Sequence, residues 1–161
     1  AQLVMGDALA ICLMELSGFK AEDFARSHPG GALGKALNIQ LGHLLQDHKK
    51  PSVTPDTPIM SVISEISTKL VGATAVINDR IAVGIITDGD LRRMIQSAGD
   101  FSSLKAQDIM AKNPIVLSSE TLAKKALTLM QEKEISQIIV EDANIYKGIV
   151  HIHDILNEGI Y

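Results

Sequence analysis

The pattern of apolar and polar positions occurs twice along the chain, at an offset of 64 residues. Residues 84–91 read G-I-I-T-D-G-D-L, and residues 148–155 read G-I-V-H-I-H-D-I. The same offset, without a gap, places Val76 on Val140 and Ile81 on Ile145. Few aligned pairs are identical, so the repeat lies in the shared order of apolar and turn positions. The pattern predicts two copies of one small unit with a cleft between them.

The first copy begins with a short strand at Val53 and continues with a helix. Thr57 is predicted to cap this helix, with Pro58 at its first position and Gly72 at its end. The spacing of the apolar side chains is helical. The stripe consists of Ile59, Val62, Ile63, Ile66 and Leu70.

The period then changes to that of strands. Two strands, 73–77 and 81–87, are predicted around a turn at 78–80, and Asp88 is predicted to cap a last helix over 89–97. The element order is therefore β-α-β-β-α.

The second copy repeats this order. It predicts a strand at 116–117, a helix over 122–133, strands over 137–140 and 145–151, and a closing helix from about His153. The fold class is α/β (α+β): two βαββα units with pseudo-twofold symmetry, preceded by a helical segment.

The first 40 residues lie outside the repeat. They predict a helix over 6–16 with Gly18 as its stop signal, a short helical turn over 21–25, and a loop over 27–35 that contains His28. Because the chain opens with Ala1, we expect it to belong to a longer protein. The predicted domains are 1–40 (a leader segment), 41–104 and 105–161.

Composition narrows the classes of function. The chain has 161 residues, is 46% hydrophobic and carries a net charge of -4, with three Phe, two Tyr and no Trp. Without a basic stripe or aromatic residues for base stacking, a nucleic-acid partner is not expected. The single Cys12 has no partner for an intrachain disulfide, and no run of about 18 apolar residues predicts a membrane span. We expect a cytoplasmic protein without a membrane partner.

The repeat and the short motifs resemble a known family. The two βαββα units, with G-I-I-T-D-G-D-L at 84–91 and D-I-M at 108–110, resemble a tandem pair of cystathionine-β-synthase (CBS) domains. The leader, with M-G-D-A-L-A at 5–10, G-F-K-A-E-D-F-A at 18–25 and S-H-P-G-G-A-L-G-K at 27–35, resembles the end of the sugar isomerase (SIS) domain of arabinose 5-phosphate isomerases. The resemblance covers nearly the whole chain.

This resemblance implies a catalytic part that the chain lacks. In the family, the enzyme interconverts arabinose 5-phosphate and ribulose 5-phosphate through an enediol. His28 matches a histidine of that active site, and an imidazole can accept and donate a proton near neutral pH. From the residues alone, a loop histidine that only bonds a carbonyl is the simpler interpretation. The other active-site residues of the family lie upstream, so we expect this chain alone to be inactive.

The CBS resemblance also implies a ligand site. Thr87 and Asp90 form a Thr-x-x-Asp pattern between a strand and a helix, where the two side chains can bind ribose hydroxyls and free backbone N–H groups can face a phosphate. The alternative is that both side chains only stabilise the helix start. In the second copy these positions are His151 and Asp154, which makes two equal adenosine sites doubtful.

Four further side chains are candidates for binding. Arg92 and Arg93 can hold an anion, although neighbouring helical residues point about 100° apart, so at most one faces a given ligand. His151 and His153 have strand spacing, but zinc needs three or four ligands and no others are evident. We assign them to anion or hydroxyl recognition and predict no metal.

The predicted function is regulatory. The CBS pair senses a ligand for an isomerase that supplies 3-deoxy-manno-octulosonate (Kdo) synthesis for lipopolysaccharide or capsule, with CMP-Kdo as the expected feedback ligand and no required cofactor. One alternative is an adenine-nucleotide energy sensor in the same cleft, and the feature that discriminates it is whether residues around Thr74 and Ile138 leave an apolar slot large enough for adenine. The other is a structural module without a ligand. A homo-oligomer is expected: a dimer of CBS pairs, and a tetramer of the whole enzyme.

Overall fold

Two small sheets with helices packed on them form the body of the protein. The computed structural model describes residues 2–28, 30–45, 50–97 and 101–161. The segment before unit 1 extends beyond the predicted 1–40, and the name leader is used for all of it up to Leu45. It contains α1 (Gln2–Ser17), α2 (Ala21–Ser27), α3 (Ala32–Asn38) and α4 (Leu41–Leu44). Unit 1 contains β1 (Ser52–Val53), α5 (Ile59–Lys69), β2 (Ala73–Asn78), β3 (Ile81–Thr87) and α6 (Asp88–Ser97). After it come α7 (Ala106–Ile109) and β4 (Ala111–Lys112). Unit 2 contains β5 (Val116–Leu117), α8 (Ala123–Glu132), β6 (Gln137–Asp142), β7 (Ile145–His151) and α9 (Ile152–Asn157).

The sheets confirm the predicted order β-α-β-β-α in both units. In unit 1 the strand order is β1-β2-β3-β4, and in unit 2 it is β5-β6-β7. The first strand of each unit pairs in parallel with the second, which pairs antiparallel with the third. Each antiparallel pair has an irregularity at the same place, after Val76 and after Val140. The pseudo-twofold repeat therefore extends to details of register.

Several local predictions differ from the structure. Helix α5 starts one residue later than predicted, with Pro58 as its N-cap and no side-chain cap bond, while the Thr57 hydroxyl accepts a hydrogen bond from the Thr54 backbone N–H. The loop predicted over 27–35 is wrong in part, because α3 begins at Ala32 and Ser27 belongs to α2. The predicted loop also includes Pro29, which lies outside the described residues. Glycines at 30, 31 and 34 favoured a loop in the sequence, but a helix starts among them.

The leader packs on the distant unit. Leu41 is fully buried in the core of unit 2, and the Gly42 backbone N–H donates to the Ser119 carbonyl at 2.8 Å. Leu45 lies over Gly148, where an added Cβ would stand 2.9 Å from a Leu45 methyl carbon. The unit-2 core is therefore completed by residues that precede unit 1 in the sequence.

The segment between the units makes the matching contacts with unit 1. Ala106 is fully buried in the unit-1 core, and β4 pairs with β3. Met110 lies over Gly84, where an added Cβ would stand 2.5 Å from the sulfur. Gly84 and Gly148 are equivalent in the repeat, so each unit receives one side chain over its glycine. The boundaries 1–40, 41–104 and 105–161 stay a prediction.

A third apolar cluster joins the units. It includes Ala73 and Ala75 of β2 together with Ile139, Tyr146 and Ile149 of unit 2. The buried Tyr146 hydroxyl donates to the Pro51 carbonyl at 2.7 Å. Burial raises the pKa of Tyr146, so the phenol stays neutral and able to donate. The two sheets therefore share one apolar interface.

Helix α1 is exposed, in contrast to α4, which packs on unit 2. None of the side chains of α1 is buried, and Leu3 and Leu16 are 82% and 85% exposed. No helix within the described residues combines the length and the apolar character needed to cross a membrane.

One buried polar group has no partner. The Thr74 side chain is fully buried, and among the described residues its hydroxyl makes no hydrogen bond. Thr74 alternates with Ala73 and Ala75 of the interface, so it faces the unit-1 core with Val76. Ile138, at the equivalent position, lies in the core of unit 2. Both side chains are therefore enclosed in the cores of their own units.

We expect Thr74→Val to raise the free energy of unfolding by about 1–2 kcal/mol, because it removes an unpaired buried hydroxyl and keeps the shape of the side chain. Denaturant unfolding of the two proteins measures the change. Thr74→Ser is the control, because it keeps the hydroxyl and loses a methyl group, and it should destabilise. A loss of stability in Thr74→Val would mean that the hydroxyl has a partner.

Candidate functional site

Two cavities lie where the units meet. Cavity 1, of about 580 Å³, is bounded by 70–72 of unit 1 and by Ile149, His151 and Asp154 of unit 2. Cavity 2, of about 420 Å³, is bounded by 134–136 of unit 2 and by Ile85 and Thr87 of unit 1. At the offset of 64 residues, 70–72 correspond to 134–136, Ile149 to Ile85 and His151 to Thr87, whereas Asp90, the equivalent of Asp154, does not line cavity 2. The cleft predicted between the repeats is thus a pair of related cavities, each built from both units.

Thr87 and Asp90 are held together at the start of α6. One oxygen of Asp90 accepts hydrogen bonds from the Thr87 hydroxyl at 2.6 Å and from the Thr87 backbone N–H at 2.8 Å. The Thr87 hydroxyl accepts from the Asp90 N–H at 3.3 Å, which completes a reciprocal cap. Thr87, rather than the predicted Asp88, therefore caps this helix. A ligand at these side chains has to share or replace bonds that already exist.

The second unit builds the same cap with an imidazole. The His151 backbone N–H donates to Asp154 at 2.9 Å, and Nδ1 of His151 accepts from the His153 N–H at 3.1 Å. The two imidazole rings lie 4.9 Å apart. Because Nδ1 accepts a hydrogen bond, this arrangement needs a neutral His151 ring.

Burial and the neighbouring His153 lower the pKa of His151, and Asp154 acts in the opposite direction. Below about pH 6.5, the ordinary pKa of histidine, the unfolded chain therefore binds more protons at this position than the folded chain. The contribution of His151 to stability is complete above that pH and is lost as the pH falls toward the lowered folded-state pKa.

We expect this pH dependence to disappear in His151→Thr, which gives unit 2 the cap residue of unit 1. Unfolding of both proteins from pH 8 to pH 5 measures it. The wild type should lose more stability on acidification than the variant. If the two curves stay parallel, the neutral imidazole is not what the cap requires.

Only one of the two neighbouring arginines, Arg92 and Arg93, faces a cavity, as their helical spacing predicts. Arg93 lines cavity 2 and donates to Asp90 at 2.5 Å, with its side chain 71% exposed. Arg92 is exposed and lines neither cavity. Lys112, which sequence reasoning missed, supplies a second cation to cavity 2. Its place depends on the pairing of β4 with β3, for which the repeat gives no signal.

The structure divides the predicted binding residues between the two cavities. His151, His153 and Asp154 line cavity 1 with Asp88, whereas Thr87 and Arg93 line cavity 2 and Asp90 lines neither. Gln137, also missed in the sequence, lines both. It is a polar residue at the start of the apolar strand β6, and this contrast could have indicated a functional role in the sequence. The cavities therefore differ in charge: cavity 1 has two carboxylates, and cavity 2 has two cations and Glu134.

His28 lies apart from these cavities, in the leader. It follows α2, its backbone N–H donates to the Phe24 carbonyl at 2.9 Å, and its exposed ring stacks on Phe24 at 4.5 Å. Among the described residues, no cluster of three or more His, Cys, Asp or Glu side chains is arranged to hold a metal ion.

Comparison with known families decides what this architecture is. The CBS domain profile matches residues 45–97 and again residues 106–160. The chain belongs to the CBS domain family. The predicted tandem CBS pair is confirmed.

The similarity to curated relatives extends beyond the CBS pair and includes the leader. The arabinose 5-phosphate isomerase KdsD of Yersinia pestis is 40% identical over 162 residues, which cover 99% of this chain and 49% of the relative. The enzyme of the same name from Francisella tularensis is 40% identical over 158 residues, covering 97% and 48%. The chain spans about half the length of these relatives.

Solved structures share the fold of the CBS pair. An uncharacterized conserved protein from Pyrococcus horikoshii superposes with a TM-score of 0.66 and 26% identity, covering 75% of this chain and 92% of that protein. A CBS domain protein from Pyrobaculum aerophilum, complexed with AMP, gives a TM-score of 0.65 and 21% identity, covering 72% and 89%. CBSX2 in complex with AMP gives 0.63 and 21%, covering 76% and 96%.

Proposed function

We propose that this chain is the regulatory part of an arabinose 5-phosphate isomerase. The whole enzyme would interconvert arabinose 5-phosphate and ribulose 5-phosphate for the synthesis of Kdo, and so of lipopolysaccharide or capsule. The support is that similarity to the isomerases extends over 99% of the chain, through the leader as well as the CBS pair. Similarity confined to 45–160 would support only a CBS pair.

In this proposal the CBS pair binds a nucleotide between its units. The observation that carries it is cavity 2, which is lined by Arg93, Lys112 and Thr87, the residue whose hydroxyl donates to Asp90. Two cations can hold anionic groups while the Thr87 hydroxyl, which is held by Asp90, faces ribose hydroxyls. AMP in two proteins of the same fold supports a nucleotide as the ligand class.

The ligand that we propose for this site is CMP-Kdo. It carries a phosphodiester and a carboxylate, which match the two cations of cavity 2. As the activated product of the pathway, it suits feedback control of the isomerase. The histidines that we also expected at this ligand line cavity 1. The charge argument therefore rests on Arg93 and Lys112, with Lys112 taking the role that we expected of Arg92.

An adenine nucleotide is the second candidate, since AMP is the ligand of the two similar structures. Thermal unfolding of the chain with CMP-Kdo, CMP, AMP, ATP or buffer separates the candidates, because a ligand that binds the folded state raises the unfolding midpoint. A shift confined to CMP-Kdo supports the feedback sensor, and a shift with AMP or ATP supports an energy sensor. No shift with any of them would reject nucleotide sensing and favour a structural role.

We also propose that His28 acts in proton transfer when the whole enzyme is assembled, with the remaining active-site groups supplied from outside this chain. In the whole enzyme, His28→Ala is then expected to lower kcat for isomerisation. Lys125→Ala, which removes an exposed side chain of α8, is the control and should leave kcat unchanged. Equal activities would assign His28 a structural role only.

Self-association completes the proposal: a dimer of CBS pairs and a tetramer of the whole enzyme. Light scattering of this chain and of the whole enzyme measures both. A monomeric chain would reject the dimer of CBS pairs.

A further inference from the structure

The two cavities are related by the repeat but carry charges of opposite sign. The wall of cavity 1 contains the carboxylates of Asp88 and Asp154, and within the described residues it contains neither Lys nor Arg. The wall of cavity 2 contains Arg93 and Lys112 together with the carboxylate of Glu134. A phosphate is therefore attracted to cavity 2 and repelled from cavity 1.

The carboxylates of cavity 1 are not neutralised by a neighbouring cation. In the part of the chain that the structure describes, neither Asp88 nor Asp154 forms an ion pair. By contrast, Asp90, the equivalent of Asp154 in unit 1, forms an ion pair with Arg93 at 2.5 Å. The negative charge of both carboxylates therefore acts on any ligand that enters cavity 1.

Asp88 is the acidic residue of cavity 1 that departs from the repeat. At the offset of 64 residues its equivalent is Ile152, which is apolar and does not line cavity 2. The Asp88 backbone N–H donates to the Gly72 carbonyl at 3.1 Å, and a carboxylate oxygen of Asp88 lies 3.3 Å from the place where a Cβ on Gly72 would stand. Unit 1 thus adds to cavity 1 a charge that unit 2 does not add to cavity 2.

The helix start that borders each cavity increases the difference between them. In cavity 2 the Thr87 hydroxyl donates to Asp90 and can still accept a hydrogen bond from a ribose hydroxyl. In cavity 1 the equivalent residue is His151, whose Nδ1 already accepts the His153 backbone N–H at 3.1 Å. The cations and the hydroxyl that suit a nucleotide therefore occur together in cavity 2.

We infer that the CBS pair binds one nucleotide, in cavity 2, and that Asp88 and Asp154 exclude nucleotides from cavity 1. This inference rests on the proposed nucleotide sensing and adds to it the number of sites and the residues that set this number. Asp88 is the specificity-determining residue, because Asp154 has an acidic equivalent in unit 1 and Asp88 has none in unit 2. Two equivalent units thus form one nucleotide site.

Calorimetric titration of the chain with AMP and, separately, with CMP-Kdo counts the sites. We expect saturation at one nucleotide per chain. Proton NMR of the His151 and His153 rings shows which cavity is filled, because both residues line cavity 1. Their signals are identified with His151→Thr and His153→Gln. In the wild type at neutral pH, neither signal should move when the nucleotide saturates its site.

Asp88→Lys tests the role of the charge in cavity 1. Because it reverses the charge of an exposed residue in the cavity wall, the histidine signals should move at a nucleotide concentration at least about tenfold lower than in the wild type. The control is Asp7→Lys, the same change of charge in the exposed helix α1, and it should behave like the wild type. Circular dichroism verifies that both variants are folded.

Two nucleotides per chain would overturn the inference and leave nucleotide sensing intact. Movement of the wild-type histidine signals as the first nucleotide binds would have the same meaning. Equal histidine responses in Asp88→Lys and Asp7→Lys would overturn the exclusion by Asp88. If neither ligand binds the wild type, nucleotide sensing itself is wrong and the inference fails with it.

Discussion

Replacing Leu41 with alanine is expected to lower the free energy of unfolding by about 2–5 kcal/mol, the usual cost of truncating a fully buried leucine. Leu41 is 0% exposed and lies among the core residues of unit 2. Its neighbours there are held by α8 and by the strands, so they cannot collapse fully into the space that the side chain leaves. Denaturant unfolding measures the loss.

The control for Leu41→Ala is Leu16→Ala in α1. Leu16 is 85% exposed, so its truncation should change the free energy of unfolding by less than about 0.5 kcal/mol. The comparison tests whether the leader is an integral part of unit 2. Equal, small effects of the two substitutions would contradict the packing of α4 on that unit.

Arg93→Ala is expected to weaken nucleotide binding by about 10- to 100-fold, because a hydrogen bond to a charged group contributes about 1.5–3 kcal/mol. Arg93 lines cavity 2 and is already oriented by its ion pair with Asp90. The affected ligand is the one, CMP-Kdo or AMP, that raises the unfolding midpoint of the wild type. Calorimetric titration measures the change in Kd.

Arg92→Ala is the matched control for Arg93→Ala. It removes the same charge from the adjacent position of the same helix, but from a side chain that lines neither cavity. Binding should change by less than about threefold, which is the effect of net charge alone at physiological salt. Equal losses in both variants would mean that overall charge, not cavity 2, attracts the nucleotide.

The sheets and the repeat could be predicted from the sequence because their signal is local. Strands β3 (Ile81–Thr87) and β7 (Ile145–His151) have the bounds that the pattern predicted. They occupy equivalent places in the two units. The turn residues at 78–80 separate two apolar runs, and that alone specifies a hairpin. In these segments propensity, period and tertiary packing agree.

The attachment of the leader to unit 2 could not be predicted, because it depends on contacts between distant residues. Leu41 is a leucine in a short, weakly patterned segment, and nothing near it in the sequence indicates that Thr121 is its partner. The same limit applies to Met110 over Gly84: the glycine was evident in the repeat, but the side chain that needs its space was not.

The sequence predicted which residues belong to the candidate site, but not which of them line the same cavity. Thr87, Asp90, His151 and Asp154 stand at equivalent helix starts because the repeat places them there. Thr87 lines cavity 2 while His151 and Asp154 line cavity 1, because the pseudo-twofold axis puts the ends of β3 and β7 beside the opposite units. Lys112 joins Arg93 only through the pairing of β4, so the charge of cavity 2 depends on tertiary structure.

Calorimetric titration of the 161-residue chain with CMP-Kdo and, separately, with AMP tests most directly whether it is a nucleotide-sensing CBS pair. Saturable binding of at least one of them is the predicted result, with binding weakened by Arg93→Ala and retained by Arg92→Ala. The absence of saturable heat with both ligands, in a sample whose cooperative unfolding verifies that it is folded, would contradict nucleotide sensing.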